Sequence, residues 1–219
     1  MTKYRDDPTK FGKRISRVFV GKDTEPYIIH HDLLSASSDF FDKALNGRFK
    51  ESGGDVYLPK QKSETFDAYQ RWLYSGKIDM SGQTLSKALW LSCQYYLLGD
   101  TIQDEGFRNA AIDNILDHVA SSQIFPADLS YVQKVYHSTA KGSILRKLVV
   151  DFWLFGSDPG WFDKFEDQGF QGEFPSEFWF EVSRGLVKQR VEKSQAPSLY
   201  PWVSNRCQYH HHKKTLKCT

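Results

Sequence analysis

The sequence has few cysteines and no long apolar run. Cys93, Cys207 and Cys218 are its only cysteines in 219 residues, and an odd, sparse set of thiols suits a reducing compartment better than a disulfide scaffold. No stretch approaches the roughly 18–20 uninterrupted apolar residues of a membrane span. The N-terminus also lacks the apolar core of a secretory signal. We therefore expect a protein of the cytoplasm or nucleus, without a membrane partner.

An excess of charge of one sign is also missing. The formal net charge is +2, with 26% charged residues, which argues against a surface dedicated to nucleic acid or to an anionic membrane. The patterns G-x-x-x-x-G-K-S/T, G-x-G-x-x-G, H-E-x-x-H and G-x-S-x-G are absent. Cys93 lies in an apolar helical stripe, where a thiol is buried and inert. The sequence therefore predicts no catalytic residues and a protein that is not an enzyme.

The apolar pattern changes character along the chain. Short β-rich runs at 18–20 and 27–29 flank turn-forming residues and predict a β-hairpin, and a third run at 56–58 predicts another strand. Helical stripes follow at 63–75, stopped by Gly76, and at 85–97, stopped by Gly99. Further helices are predicted over 107–119, over 144–155, and from 175 to 186. The fold class is therefore α+β, a small sheet flanked by helices, followed by an all-α C-terminal extension.

This pattern divides the chain into four segments. Residues 1–17 form a basic tail, 18–118 a sheet-and-helix domain, 119–202 a helical extension, and 203–219 a tail that contains Cys and His. We interpret His30, at a strand-to-helix junction, as a core histidine satisfied by backbone hydrogen bonds, and His31 as exposed. The eleven Phe and Trp residues within 152–180 favour a core. The alternative is that the loop predicted over 159–174 exposes some of them as a docking surface.

The C-terminal tail contains the residues whose side chains are chemically most versatile. Cys207, His210, His212 and Cys218 supply two thiols and two imidazoles, a set that suits tetrahedral zinc. Their spacing, C-x2-H-x-H-x5-C, is not that of a common zinc finger, and the two histidines share a face only in an extended segment. Two readings therefore stay open at this point, a structural zinc site and a polar, basic chain end with incidental Cys and His.

The first half of the chain resembles the BTB/POZ family. The resemblance is carried by Tyr27-Ile28-Ile29-His30-His31-Asp32-Leu33-Leu34, by Ser38-Asp39-Phe40-Phe41, by Val56-Tyr57-Leu58-Pro59, and by Phe66…Tyr69…Trp72-Leu73-Tyr74-Ser75-Gly76-Lys77-Ile78. The helix predicted at 85–97 falls where the family has a helical pair. The remainder, including the Cys/His ending, is similar to short fungal BTB proteins.

The resemblance implies protein partners. BTB domains form homodimers or bind other proteins, and many dock on the cullin-3 scaffold of a ubiquitin ligase. In those adaptors a hydrophobic-x-Glu motif lies just before the third sheet strand, where this chain has Phe49-Lys50-Glu51. Phe49 and Glu51 are thus the candidate partner-binding residues, an apolar anchor beside a fixed charge. The alternative is a chance pattern, since three loosely defined positions occur in many helices.

Two departures from the family limit what the resemblance implies. Ser16-Arg17 stand where the family often has an ordering Asp before the first strand, and no recognisable substrate-reading module follows the BTB-like part. The alternative function is a transcriptional or chromatin regulator that uses the BTB-like domain for dimerisation. In that case the basic tail and the Cys/His end would contact nucleic acid, but no base-reading element is visible, which disfavours this partner.

Overall fold

The computed structural model describes residues 11–47, 54–122, 125, 129–167, 175–191 and 200–218. The three strands of the described residues lie between residues 15 and 58, and helices form most of the described residues after them. In chain order the elements are β1 (Ile15–Val20), β2 (Tyr27–His30), α1 (His31–Ser37), α2 (Asp39–Asn46), β3 (Asp55–Leu58), α3 (Ser63–Ser75), α4 (Leu85–Thr101), α5 (Glu105–Ser122), α6 (Leu129–Ser138), α7 (Ile144–Gly156), α8 (Pro159–Asp167), α9 (Ser176–Val191), α10 (Pro201–Ser204) and a 3-10 helix (Arg206–Tyr209).

The described residues divide into two compact units. One contains the chain up to Ile115 together with the stretch from His211 onward, and the other runs from Leu116 to His210. The first holds the sheet and α1–α4, and the second holds α6–α10, so the predicted order of α+β followed by all-α is confirmed. The sequence could indicate this order because the apolar period changes from two to 3.6 along the chain.

The sheet has the order β2-β1-β3. β1 pairs antiparallel with β2, with Val18 opposite Tyr27, and parallel with β3, with Val18 opposite Val56. The predicted hairpin is therefore confirmed, but β1 begins at Ile15, three residues before the run at 18–20. The sequence pattern did not indicate this extension, because Ser16 and Arg17 are polar. The burial of β1 alternates, and only its even-numbered positions face the core.

Aromatic rings form the core between the sheet and the helices of the first unit. Tyr69 lies at the centre, and its ring centroid is 5.0 Å from that of Phe107, 5.5 Å from Phe66 and 5.9 Å from Trp72. These four side chains are at most 1% exposed. Aromatic side chains bury large apolar areas and pack stacked or edge to face at such distances, so this cluster sets the separation of α3 and α5.

Glycines act differently at the ends of α3 and α4. Gly76 ends α3 in the left-handed conformation, at φ 72°, as predicted. The prediction that Gly99 ends α4 was wrong, because the helix continues to Thr101. A Cβ atom at Gly99 would lie 2.8 Å from the Arg108 side chain and 3.1 Å from the Arg108 backbone nitrogen. Gly99 is therefore needed for the close approach of α5 to α4.

Neither of the two adjacent histidines has the predicted environment. His31 is buried, 6% exposed, with its Nδ1 3.0 Å from Ser16 Oγ and its Nε2 3.0 Å from Asn46 Oδ1. His30 is half-buried, and its ring Nδ1 lies 2.8 Å from the Tyr74 hydroxyl. The prediction was wrong because α1 begins at His31 and places that ring in the core. Two consecutive identical residues do not indicate which of their side chains is buried.

The second unit has its own aromatic core. The Trp153 ring contacts Trp161, Phe178 and Trp179, with centroid separations of 5.3–5.4 Å. The core interpretation is confirmed for Phe152, Trp153 and Phe178, which are buried, whereas Phe162 and Phe180 are exposed. Residues 159–167 form α8 instead of the predicted loop, because Pro159 is well suited to the first helical position and Asp158 Oδ1 accepts a hydrogen bond from the Gly160 N–H.

Candidate interaction surface and metal-binding segment

The C-terminal residues 206–218, hereafter the C-terminal segment, begin with a firmly packed turn. Tyr209, in the 3-10 helix, is fully buried. Its hydroxyl donates to Asp151 Oδ2 of α7 at 2.8 Å, and Lys147 lies 4.2 Å from the centre of its ring. Burial and the Asp151 carboxylate raise the pKa of Tyr209 well above its usual range. The hydroxyl therefore stays protonated and holds this turn on α7.

Glu105, the first residue of α5, binds the later part of the C-terminal segment. Its carboxylate accepts hydrogen bonds from the backbone N–H groups of Lys213, Lys214 and Thr215 at 2.8–3.1 Å, and from the Thr215 hydroxyl at 2.7 Å. Burial alone would raise the pKa of Glu105, but these hydrogen bonds outweigh it and lower the pKa to about 2. Glu105 therefore stays ionised and holds the segment over a wide pH range.

Asn109, one helical turn after Glu105, binds the backbone of the same segment. Its Nδ2 donates to the His211 carbonyl and its Oδ1 accepts from the His211 N–H, both at 2.9 Å. The side-chain amide thus pairs with both backbone groups of one residue, as a residue of a neighbouring antiparallel strand would. Burial, with a contribution from the Arg108 cation, lowers the pKa of His211, so its imidazole is neutral at physiological pH.

We expect the Glu105→Gln substitution to lower the free energy of unfolding by about 3 kcal/mol at neutral pH. The pKa of Glu105 is lower in the folded protein than its ordinary value of 4.5, so protonation favours the unfolded state. Its contribution is present above about pH 4.5 and disappears as the pH falls towards about 2. Urea unfolding at a series of pH values, with proteolysis of the C-terminal segment as a second readout, measures both effects.

Glu64→Gln is the matched control for this substitution. Glu64 occupies the first turn of α3 as Glu105 does in α5, but its side chain is exposed. Its replacement is expected to change stability by less than about 0.5 kcal/mol. Equal losses in the two variants, or the same acid dependence in Glu105→Gln and the unchanged protein, would contradict the role assigned to Glu105.

Two of the four predicted metal ligands lie next to each other in the first unit. The Cys218 Sγ atom is 3.9 Å from His212 Nε2. Cys207 and His210 belong to the second unit. The metal-binding role of Cys207, His210, His212 and Cys218 stays a prediction.

The predicted partner-binding residues, Phe49 and Glu51, lie outside the described residues. The described neighbours are the end of α2 at Asn46 and the start of β3 at Asp55. The hydrophobic-x-Glu motif thus falls in the connection between these two elements. The roles of Phe49 and Glu51 stay predictions.

A second candidate surface is the outer face of the sheet. Ile15, Ile28 and Tyr57 are 59%, 48% and 61% exposed, and the Phe19 ring stacks on that of Tyr57 at 4.8 Å. Arg17 lies between them and pairs with Asp55 through two hydrogen bonds of 2.6 and 2.7 Å. Exposed apolar side chains on three neighbouring strands are typical of a surface that binds another protein.

Sequence reasoning missed the two residues that fix the C-terminal segment. Glu105 and Asn109 lie more than 100 residues before the backbone groups they bind. A glutamate in the first turn of a helix is common for a local reason, the positive end of the helix dipole. The only available signal was that both residues lie one turn apart on a helix, which does not identify a partner.

No described helix combines the length and the apolar character that crossing a lipid bilayer requires.

The comparisons with known proteins agree with the fold. The chain is 26% identical over 148 residues to an Arabidopsis thaliana protein named "arm repeat protein interacting with ABF2", covering 67% of this chain and 18% of that protein. It is 25% identical over 147 residues to "armadillo BTB Arabidopsis protein 1" of the same plant, covering 67% and 19%. The chain therefore spans about a fifth of the length of these relatives.

The family match agrees with the position of the sheet. The model of the BTB/POZ domain family matches residues 13–105, a range that contains all three described strands and the helices α1 to α4. The resemblance to fungal members of the family stays an expectation, since both relatives are plant proteins. Residues 13–105 of this chain are therefore a BTB/POZ domain, which is a protein-interaction fold.

Proposed function

We propose that this chain is an adaptor that uses its BTB/POZ domain to dock on the cullin-3 scaffold of a ubiquitin ligase. The observation that carries the proposal is the family match over residues 13–105, because it assigns a protein-binding fold to the part of the chain that contains the candidate motif. Glu51 of that motif precedes the first residue of β3 by four positions. This agrees with the place of the hydrophobic-x-Glu motif in cullin-binding members of the family.

The chemistry of the motif supports the same proposal. Phe49 offers a large apolar side chain, and aromatic anchors supply much of the binding energy in protein interfaces. Glu51 adds a fixed negative charge, which restricts the partner to a surface with a complementary cation or hydrogen-bond donors. An anchor and a charge two residues apart can thus give both affinity and selectivity in a short connection.

An adaptor also needs a surface for its substrate, and α9 offers a candidate. Phe180, Val187 and Val191 are exposed, and their spacings of seven and four residues place them on one face of the helix. Lys188 and Arg190 lie in the last turn of the same helix. We propose that this apolar face, bordered by positive charge, contacts a substrate with an amphipathic, acidic segment.

We expect the Phe49→Ala substitution to weaken cullin-3 binding at least roughly ten-fold, because loss of an interface anchor costs about 2 kcal/mol. The measurement is calorimetric titration of the full chain with the N-terminal part of cullin-3. Light scattering on the free chain reports whether a second copy occupies the BTB domain. We expect Glu51→Ala to weaken binding by a smaller factor, because the apolar anchor remains.

Phe162→Ala is the matched control for the cullin experiment. Phe162 is exposed on α8, outside the BTB/POZ domain, so the same change of side chain there should leave cullin-3 binding unaltered. If the unchanged protein does not bind cullin-3, the adaptor function is rejected. If Phe49→Ala binds as tightly as the unchanged protein, the assigned contact is wrong.

A further inference from the structure

We propose that Glu105 and Asn109 on α5, with Asp39 on α2, bind a lysine–threonine segment of a partner protein. Residues 211–218 of this chain occupy that site when no partner is bound. All of these residues belong to the first unit. Glu105 and Asn109 are only 5% and 9% exposed, and buried polar groups need hydrogen-bond partners. The described partners of both side chains all belong to the stretch from residue 211 to residue 215.

The site contacts mainly the main chain of its occupant. Asn109 pairs with the N–H and the carbonyl of His211, and Glu105 accepts from the successive N–H groups of residues 213–215. Every amino acid except proline offers the same two main-chain groups. These hydrogen bonds are therefore available to any peptide that can turn around a carboxylate, as successive N–H groups do in an anion-binding nest.

Two side chains of the occupant are also bound, and they define the class of partner. Lys214 forms an ion pair with Asp39, and the Thr215 hydroxyl donates to the Glu105 carboxylate at 2.7 Å. Both receiving groups are carboxylates, so they favour a cation and a hydroxyl donor at adjacent positions. The next side chain, Leu216, is 83% exposed and adds no selectivity. The site thus fits a segment in which Lys is followed by Thr or Ser.

Residues 211–218 compete with every partner because they belong to the same chain. A tethered segment has an effective concentration of about 1 mM, so it weakens the binding of a separate peptide about ten-fold if the intrinsic Kd is about 100 µM. A partner that is already bound elsewhere on the BTB/POZ domain presents its own segment at a similar effective concentration. Exchange is then possible, whereas a free second copy has no such advantage.

The test is a titration of the full chain with a fluorescently labelled peptide of residues 211–218. Thr215→Pro in the chain vacates the site, because proline offers neither the N–H nor the hydroxyl group that Glu105 binds. We expect this variant to bind the peptide at least about ten-fold more tightly than the unchanged protein does. Adding Glu105→Gln to it should weaken binding about ten-fold, because the charge-assisted hydrogen bonds are lost.

Two measurements show that the variant is suitable. Hydrogen exchange of residues 211–214 should become fast in Thr215→Pro, which verifies that the segment is released, and circular dichroism verifies the fold. If Thr215→Pro does not fold, Lys214→Glu replaces it in the titration, because a carboxylate at this position is repelled by Asp39. The same gain in peptide affinity is expected for this second variant.

Variants of the peptide test the selectivity of the site. Thr215→Val in the peptide should weaken binding about ten-fold, and Lys214→Ala about three-fold, because the ion pair is partly exposed. Leu216→Ala is the matched control and should bind as the original peptide does. Equal affinity of all these peptides would overturn the assigned contacts.

The proposal is overturned if the folded, vacated chain binds the peptide no more tightly than the unchanged protein, since the stretch is then only a part of the fold. Light scattering supplies the other decisive result. A dimer of the unchanged chain that becomes a monomer in Thr215→Pro would give the site to a second copy and overturn its assignment to a partner. The titration contains no cullin-3, so its outcome is independent of the proposed adaptor function.

Discussion

Replacement of Arg146 by Met is expected to lower the free energy of unfolding of the helical unit by about 3–5 kcal/mol. The Arg146 guanidinium is 8% exposed and pairs with Glu177 of α9 at 2.8 Å. It also donates to the carbonyl oxygens of Tyr136 and Thr139, at and just beyond the end of α6, and to the Thr139 hydroxyl. Met fills a similar volume but leaves these buried acceptors without donors.

The helix-capping role of Arg146 explains the expected size of the effect. The last four carbonyl groups of a helix have no partner within the helix, and here a side chain of α7 supplies one to α6. The same guanidinium lies 4.5 Å from the centre of the Tyr136 ring, which adds a cation–π contact. One residue thus joins three helices. The change is measured by urea unfolding, followed by tryptophan fluorescence.

Two further variants separate capping from ion pairing. Glu177→Gln should cost less than about 1 kcal/mol, because the Glu177 side chain is 56% exposed. Arg146→Lys should be intermediate, because an ammonium group cannot satisfy acceptors on several sides as a planar guanidinium does. If Arg146→Met unfolds within 1 kcal/mol of the unchanged protein, the carbonyl groups have other partners and the capping role is wrong.

The sequence predicted elements that depend on local pattern. The hairpin and the helix α7 could be found because apolar periodicity and turn residues are properties of neighbouring positions. The parallel pairing of β1 with β3 could not, because nothing in Val56-Tyr57-Leu58 specifies which strand it joins. Gly99 shows the same limit. Its spacing indicated a helix end, whereas its role is a close approach to Arg108, a residue on another helix.

The C-terminal segment shows the same difference between what neighbouring residues indicate and what only the fold determines. The residue types at 207, 210, 212 and 218 indicated thiolate and imidazole ligands, and the structure places the Cys218 Sγ atom 3.9 Å from His212 Nε2. Glu105 and Asn109 bind the segment, but the residues next to them in the sequence do not indicate that role. A carboxylate binds backbone N–H groups only where the fold brings a distant segment to it, so the contact cannot be read from either sequence neighbourhood.

Asp104 is the most buried carboxylate of the BTB/POZ domain among the described residues, with no exposed surface. Its Oδ1 accepts from the backbone N–H of Phe107 at 2.9 Å and so caps α5. Its Oδ2 accepts from the hydroxyls of Ser37 at 2.5 Å and Tyr69 at 2.9 Å. One carboxylate therefore joins α1, α3 and the start of α5 beside the aromatic core.

We expect Asp104→Ala to lower the free energy of unfolding of the BTB/POZ domain by about 4 kcal/mol. Loss of the helix cap contributes about 1 kcal/mol, and each buried hydroxyl left without its acceptor contributes about 1–2 kcal/mol more. Asp104→Asn should lose about half as much, since its amide oxygen can still cap α5 while the Ser37 and Tyr69 hydroxyls must reorient. Urea unfolding of the full chain measures both losses.

Asp42→Ala is the control, because Asp42 is exposed on α2 and its one described side-chain partner is Asn46, a neighbour on the same helix. Its loss should stay below about 1 kcal/mol. The Tyr69 hydroxyl provides a second check. If Asp104 acts through it, Tyr69→Phe combined with Asp104→Ala should cost less than the sum of the two single changes, because both remove the same hydrogen bond. Strictly additive losses would mean that the two groups stabilise the domain independently, and the joining role of Asp104 would then be wrong.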